Sequence, residues 1–444
     1  MVIQKLDLII AKGADLHAAD NNGNTALILG VKRGHTDTVN LLITKGADVN
    51  AVDKNGNTVL IFAAGRGHTD TVCSLIAKGA DIHAADKYGR TALIIAAERG
   101  HTYTVIILID KGADVYAAYK NGNTALILAA MFGHTDIVDL LIEKGADVNA
   151  TDENGNTIFI LAVRYGHTDT VDLLIAKGVD VNAADKNGKT ALILAAERGH
   201  TDTVDLLIAK GADIHAADKN RKTALIFAAE RGRTDTEDLL IAKGADIHAA
   251  DKNGKTALIF AAERGRSDTV DLLIAKGVDV NAADKNGNTA LIFAAELGTV
   301  DLVIAKGADV NAADNDGKTA LIIAAERGST DTVNLLIDKG ADIHAADKDG
   351  RTALIFAVKR RRTDILDLII AKGVDVNAIG KNGKTALILA ASYDLTDTLV
   401  LLIKKGADVN AANKKNTALI MVARHGHTDY VDLLIAKGAD ICYG

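Results

Sequence analysis

Histidine can bind metals and transfer protons, and this sequence contains 13 histidines among its 444 residues. Most fall in two recurring slots, one after a glycine (His35, His68, His101, His134, His167, His200, His427) and one before Ala-Ala (His17, His83, His215, His248, His344). If neighbouring slots stack at a helix-packing distance of about 8–10 Å, their side chains cannot share one zinc ion, whose ligand nitrogens lie about 2 Å from the metal. We therefore expect structural or surface roles and no bound metal.

The recurring Asp-Xaa-Asn-Gly turn resembles part of a calcium-binding loop. With Gly56 at the sixth loop position, Asp53 and Asn55 fit the third and fifth positions. The first and twelfth positions would then be Ala51 and Phe62, which have no side-chain oxygen, so calcium is rejected. No glycine-rich phosphate loop and no Ser/His/Asp set stands apart from the repeats. We expect no cofactor and no enzymatic activity.

All these residues belong to a 33-residue unit, which opens at positions 20, 53, 86, 119, 152, 185, 218, 251, 284, 314, 347, 380 and 413. Residues 1–19 match only the second half of a unit, and residues 20–444 form thirteen repeats, of which the one at 284–313 is three residues short. A period of this length is typical of a stacked array in which each repeat packs on its neighbours.

The first half of the repeat beginning at Asp251 predicts a turn and a helix. Residues 251–254 form the turn, because Asp and Asn bond to nearby backbone and Gly tolerates a positive φ. Thr256 is the predicted N-cap of a helix over residues 257–264, which Gly265 ends in the left-handed conformation.

The second half predicts another helix and an extended return. Ser267 is the predicted cap of this helix, whose buried stripe is expected to comprise Val270, Leu272, Leu273 and Ile274. Residues 278–283 then lead, extended, into the next turn. The fold class is an all-α solenoid of helix–turn–helix repeats with projecting β-hairpin loops.

The motifs of this unit resemble those of the ankyrin-repeat family. They are Gly199-His200 before the second helix, Leu-Leu-Ile within it, and Gly-Ala-Asp-Val-Asn-Ala at 307–312 after it. The chain departs from the family at the first helix, where Thr-Pro-Leu-His becomes Thr-Ala-Leu-Ile, as at 190–193. The resemblance implies a scaffold that binds a protein on its concave face, through residues around the turn glycine and near the end of the first helix.

Composition limits the kinds of partner and the cellular compartment that we expect. Basic and acidic residues are interleaved and the net charge is −7, so no basic footprint for nucleic acid is present. The two cysteines, Cys73 and Cys442, are far apart and indicate a reducing compartment, so we expect a cytoplasmic location. The N-terminal apolar stretch is too short and too charged to be a signal peptide or to insert into a membrane. Export by a route that needs no signal peptide stays open.

Between residues 88 and 165, two neighbouring repeats have unusual residues in the partner-reading slots. Glu-Arg is the commonest pair at the end of the first helix and stands in five of the thirteen repeats, but neighbouring repeats here carry Met131-Phe132 and Arg164-Tyr165. Aromatic, Met and Arg side chains are favoured at interface hot spots. The predicted partner-binding residues are Tyr88, Tyr119, Met131, Phe132, Arg164 and Tyr165. Neutral drift among duplicated repeats is the open alternative.

A basic cluster, residues 359–362, replaces Glu-Arg-Gly-His in the repeat at 347. Arg361 takes the place of the helix-ending glycine, and Arg221 similarly replaces a turn glycine. A solvated charge run and a site for an acidic partner are both open, with the former favoured.

Two function classes follow. The first is a non-enzymatic interaction scaffold, favoured by the varied slots at 88–165; the alternative is a structural or spring-like spacer without a specific partner, favoured by the uniformity of residues 185–283. The repeat at 284 lacks the residues that precede its second helix, so we expect weak coupling there, a change of superhelical direction around residues 296–306, and Thr299 as a substitute cap.

The first and last helices keep the apolar pattern of interior repeats. These residues are Leu6, Leu8, Ile9 and Ile10, and in the predicted last helix over 430–437, Val431, Leu433, Leu434 and Ile435. We therefore expect exposed apolar surface, with end-to-end self-association or membership of a longer array as its consequence.

Overall fold

The computed structural model describes residues 12–295, 299–380, 383–413 and 416–441. The chain divides into two compact units, one formed by residues 1–195 and 200–213 and the other by residues 196–199 and 214–444. Both units are built from the same element, a pair of short α-helices followed by a hairpin turn. The helix expected in residues 1–19, with Leu6, Leu8, Ile9 and Ile10, lies mostly outside the described residues.

The first helices of the repeats follow the hairpins. In chain order they are Ala26–Arg33, Val59–Gly65, Ala92–Glu98, Ala125–Phe132, Ile158–Tyr165, Ala191–Arg198, Ala224–Arg231, Ala257–Glu263, Ala290–Ala294, Ala320–Arg327, Ala353–Lys359, Ala386–Ser392 and Ala418–His425.

The second helices begin a few residues later and precede the next hairpin. They are Thr36–Thr44, Thr69–Ala77, Thr102–Asp110, Thr135–Glu143, Thr168–Ala176, Thr201–Ala209, Thr234–Ala242, Ser267–Ala275, Val300–Ala305, Thr330–Asp338, Thr363–Ala371, Thr396–Lys404 and Thr428–Ala436.

The first helix is the buried layer of each unit. In Ala257–Glu263 every residue up to Ala262 is buried, because neighbouring first helices and the repeat's own second helix cover it. Thr256 caps this helix as predicted, since its Oγ1 accepts a hydrogen bond from the Ile259 N–H at 3.4 Å. Gly265 follows with φ 64°, so the predicted left-handed ending is confirmed.

The second helix is less buried than the sequence predicted. In Ser267–Ala275 the predicted residues Val270 and Leu273 are buried, but Leu272 and Ile274 are only half-buried because this layer has solvent on its outer side. The prediction that Ser267 caps this helix is wrong. Ser267 is its first helical residue, and Arg266 occupies the N-cap without a side-chain cap bond.

The hairpins are narrow. Most close with a single antiparallel bridge such as Ala250 to Thr256, and one pairs strands β1 (Ala412–Asn413) and β2 (Asn416–Thr417), with Ala412 opposite Thr417. Residues 278–283, predicted to be extended, contain a turn before the next bridge. Asp251 holds its hairpin by accepting bonds at Oδ1 from the Asn253 and Lys255 N–H groups at 2.8 and 2.9 Å. The predicted all-α fold of paired helices is confirmed.

The repeat at 284 has the shortest helices among the described residues, Ala290–Ala294 and Val300–Ala305. Thr299 occupies the N-cap of the second but makes no cap bond, and its buried Oγ1 has no hydrogen-bond partner in the described chain. Thr299 therefore stands at the cap position, but the expectation that its side chain caps the helix is wrong. The change of direction predicted around 296–306 falls partly on residues 296–298, which lie outside the described residues.

The last helix, Thr428–Ala436, is less exposed at one position than the sequence indicated. Leu434 is fully buried, and its helix packs against the helix Ala418–His425. Val431 and Leu433 are half-buried and Ile435 is 37% exposed. Ile435, and not Leu434, is thus the exposed large apolar residue of this helix.

Candidate protein-interaction surface

Four of the six predicted partner-binding residues line one cavity of about 440 Å³ in the repeats at 86 and 119: Tyr88, Tyr119, Met131 and Phe132. The cavity opens between two hairpin tips and the end of the helix Ala125–Phe132. Leu128 supplies part of its wall, and Tyr88 and Phe132 each remain 49% exposed. The sequence therefore places apolar side chains where solvent, or a partner, can reach them.

The hairpin holds Tyr88 in place. Its N–H donates to the buried Asp86 carboxylate at 2.9 Å, and its carbonyl accepts from the Lys120 N–H of the next hairpin at 3.0 Å. The Arg90 guanidinium lies 5.3 Å from the Tyr88 ring centroid and forms a 2.7 Å ion pair with Asp86. The backbone of Tyr88 is thus bonded on both sides, and its exposed ring has a cation beside it.

The helix end positions Met131 and Phe132. Gly133 ends this helix with φ 73°, which a residue with a Cβ adopts only at a cost. The Met131 carbonyl pairs with His167 Nε2 of the next repeat at 2.8 Å, and the Phe132 ring stacks on His134 with centroids 6.4 Å apart. His167 therefore holds the backbone at Met131, and His134 contacts the ring of Phe132.

Those contacts show what the Gly-His slot does. His134, His167 and His200 each reach 36 residues back, to the carbonyls of Glu98, Met131 and Arg164 at 3.1, 2.8 and 3.1 Å. These bonds satisfy carbonyls at helix C-termini, which have no partner within their own helix. The structural role predicted for the slot is confirmed for these residues.

Tyr119 changes the hairpin in which it stands. Most repeats have Asp in this position, where its carboxylate accepts backbone N–H groups, whereas the Tyr119 hydroxyl accepts a bond from Asn123 Nδ2 at 3.1 Å. A Cβ on Gly89 would lie 3.3 Å from the Tyr119 backbone, but a Cβ on Gly122 would meet nothing within 4 Å. The next hairpin is therefore not packed against this tip.

The same opening shows in the hydrogen bonds between tips. Lys87, Lys120 and Lys252 donate their N–H groups to the preceding tip at 2.8–3.0 Å. In the described chain no corresponding bond joins Glu153 to Asn121. Asn121 also lines the cavity, so the cavity borders a tip that is bonded to the preceding tip but not to the next one.

Arg164 and Tyr165 lie outside this cavity, at the end of the next first helix, Ile158–Tyr165. Arg164 donates to Asn156 Oδ1 at 3.0 Å. Tyr165 is 49% exposed and stacks on His167 at 6.3 Å, as Phe132 stacks on His134. The two residues form a neighbouring contact point on equivalent elements.

Sequence reasoning missed the residues at the rim and in the wall of the cavity, Arg90, Glu98, Lys120, Asn121 and Leu128. Glu98, Lys120 and Leu128 have the residue types that other repeats also carry at these positions, so no departure from the pattern pointed to them. Arg90, in place of the usual Lys or Asn, was the one available signal.

The fold and this surface define a helical repeat protein with an apolar cavity on its hairpin side. A family profile described as Ankyrin repeats (3 copies) matches residues 3–86, 63–152, 144–218, 200–284, 225–314, 291–380 and 373–443. The protein belongs to the ankyrin-repeat family. Ankyrin repeats generally serve as protein–protein interaction modules.

A comparison with curated proteins gives no match, so this assignment rests on the family profile. Among the described residues no helix has the length and apolar character needed to cross a membrane.

Proposed function

We propose that the protein is a non-enzymatic scaffold that binds a protein partner on the hairpin and first-helix surface of the repeats at 86–165. The observation that carries this proposal is the cavity between Tyr88, Leu128 and Phe132. Its volume of about 440 Å³ is large enough for an apolar side chain, and aromatic rings that stay half-exposed on a framework of fixed backbone are typical of interface hot spots.

The surroundings of the cavity indicate how the partner is held. Arg90, Glu98 and Lys120 place both charge signs at the rim, where they orient a polypeptide. The next hairpin leaves the tip at Gly122 uncovered, so a partner can contact it. We infer that an apolar residue of the partner inserts beside Phe132 while neighbouring residues contact Tyr165.

The competing proposal is a spacer array without a specific partner, in the cytoplasm or elsewhere. Its support is the near identity of the repeats from 185 to 283, a region that offers few distinguishing side chains. An experiment can separate the two proposals, because only partner binding by a scaffold depends on which residues stand at positions 131 and 132.

The test compares the full chain with a variant that restores the common residues, Met131→Glu with Phe132→Arg. Other repeats fold with Glu-Arg at these positions, as at Glu263 and Arg264, so the variant is expected to fold. Immobilised wild-type chain is expected to retain a partner from a cell lysate that the variant loses. Measured with that partner purified, the dissociation constant should rise by about thirtyfold, as for a hot spot of about 2 kcal/mol.

Tyr103→Ala is the matched control. Tyr103 is 79% exposed on the second helix Thr102–Asp110 and does not line the cavity, so its removal should leave binding unchanged. Equal retention by wild type and the double variant would reject the cavity as the binding site. A wild-type chain that retains no protein from any lysate would favour the spacer.

A further inference from the structure

A second groove lies in the repeats at 314, 347 and 380. It combines two cavities of about 520 and 350 Å³, which share Lys318, Glu326 and Arg360. Glu326 is its one glutamate, and the carboxylate is already paired with Lys318 at 2.8 Å and with Arg360 at 2.6 Å. Arg327 and Arg362 line the first cavity and Lys359 lines the second. The lining therefore holds more cations than carboxylates.

The excess charge arises because a recurring carboxylate is absent. In the repeats at 218 and 251 the same network occurs, with Glu230 bonded to Lys222 and Arg264 at 2.8 and 3.1 Å, and it continues, since Glu263 pairs with Lys255 at 2.8 Å. In the repeat at 347 the position of Glu263 is taken by Lys359, and in the following repeat by Ser392. The row of alternating charges thus ends at Glu326.

No other carboxylate in the described residues replaces the missing one. Asp347 and Asp349 are committed to Arg351, at 2.6 and 2.9 Å. Lys359 forms no ion pair in the described chain, and Arg360 is 56% exposed although it is paired. An exposed pair of this kind contributes little and can exchange partners. Lys359 is therefore the cation of the groove that lacks an ion pair in the described chain, while Arg360 shares Glu326 with Lys318 and Arg362 donates to the Arg327 carbonyl at 3.0 Å.

We propose that this groove binds an acidic protein segment, whose carboxylates pair with Lys359, Arg360 and Arg362. Arg side chains bind carboxylates through two parallel N–H bonds, which gives such a contact its geometry. This surface is separate from the aromatic cavity at 88–132 and does not depend on it.

The lining favours a polypeptide over a nucleic acid. Proteins that bind single strands combine a cationic track with several exposed aromatic stacking platforms. Here Phe356 is buried under Lys318 and Arg351, at 5.0 and 5.2 Å, which leaves Tyr393 as the exposed aromatic of the groove. The chain as a whole also carries a net charge of −7.

The experiment measures fluorescence anisotropy of a short labelled poly-Glu peptide with the full chain at low salt. A poly-Gln peptide of the same length and a poly-dT oligonucleotide are the comparison ligands. We expect binding of poly-Glu that weakens as salt rises, because the attraction between exposed charges is screened. Poly-Gln should bind at least about tenfold more weakly, since it has no carboxylates.

The test variant is Lys359→Glu, which restores the residue of Glu263 and Glu326 and so is compatible with the fold. Lys339→Glu makes the same change of charge at an exposed position that lines neither cavity. We expect Lys359→Glu to weaken poly-Glu binding by at least about tenfold and Lys339→Glu by less than about twofold.

Three results would overturn the proposal. The first is that wild type binds poly-Glu and poly-Gln equally or not at all. The second is an equal loss in the two variants, which would show general charge attraction. The third is tighter binding of poly-dT than of poly-Glu with the same dependence on Lys359, which would assign the groove to nucleic acid.

Discussion

Glu237 is a buried carboxylate in a position that other repeats fill with an aliphatic residue. Val171 and Val270 occupy the equivalent place in two other second helices, and all three residues have 0% exposure. Thr269 donates a 3.0 Å bond to Oε1, but Oε2 has no hydrogen-bond partner and no Lys or Arg pairs with Glu237 in the described chain. We therefore expect Glu237→Val to stabilise the protein.

The stability gained by Glu237→Val depends on pH, and the raised pKa of Glu237 sets the direction of that dependence. Burial raises the pKa of Glu237 from 4.5 to about 7, and the bond from Thr269 only partly offsets this. Between these values the folded chain keeps the proton while the unfolded chain releases it, so stability from this group is present at low pH and is lost as pH rises to about 7. The full loss amounts to about 3 kcal/mol.

The advantage of Glu237→Val over wild type should therefore grow by about 2.5 kcal/mol between about pH 5 and about pH 8. Urea unfolding at both pH values measures it, with hydrogen exchange over residues 234–242 and 267–275 to localise the effect. Glu237→Gln is the control, because it also removes the titration but keeps a buried polar group. A wild-type-to-variant difference that stays constant with pH would refute the reasoning.

Three further predictions concern stability and assembly. Arg361 has φ 59°, so Arg361→Gly should raise the free energy of unfolding by about 1 kcal/mol in urea titrations, and an equal gain for Arg361→Ala would contradict this cause. Residues 300–305, whose cap Thr299 is unbonded, should exchange amide hydrogens faster than residues 267–275; equal protection would contradict weak coupling. Because Ile435 is an exposed apolar residue, Ile435→Lys should abolish concentration-dependent association of the chain in sedimentation velocity. A wild-type chain that stays monomeric at high concentration would exclude such association.

The helix pairs were predictable because the same capping residues and the same pattern of buried residues recur in many repeats. Thr256 and Gly265 mark the start and end of one helix by local backbone chemistry, which needs no knowledge of neighbours. The errors concern the burial of side chains, which depends on the neighbouring helices. Whether Leu272 or Leu434 is covered depends on the adjacent helices, so periodicity alone misjudged both.

The candidate sites were predictable only where a repeat departs from the others. Met131 and Phe132 could be identified in this way, but Leu128 and Glu98 match the common pattern, and only the packing of two repeats brings them to one cavity. Arg164 and Tyr165 show the opposite case. They depart from the pattern as strongly, but they lie one repeat away, outside the cavity.

Residues that depart from the common repeat sequence fall into two kinds, which have different effects. A substitution on the buried side, such as Glu237, leaves a polar group without a full set of partners and can act only through stability. A substitution on the hairpin side, such as Phe132 or Lys359, leaves the core unchanged and alters what the surface can bind. Because a stacked array couples mainly neighbouring repeats, the two surfaces can differ in chemistry, apolar at 88–132 and cationic at 318–393, without disturbing one another. Restoring the common residue at each position therefore tests one function at a time, with the other surface as its internal control.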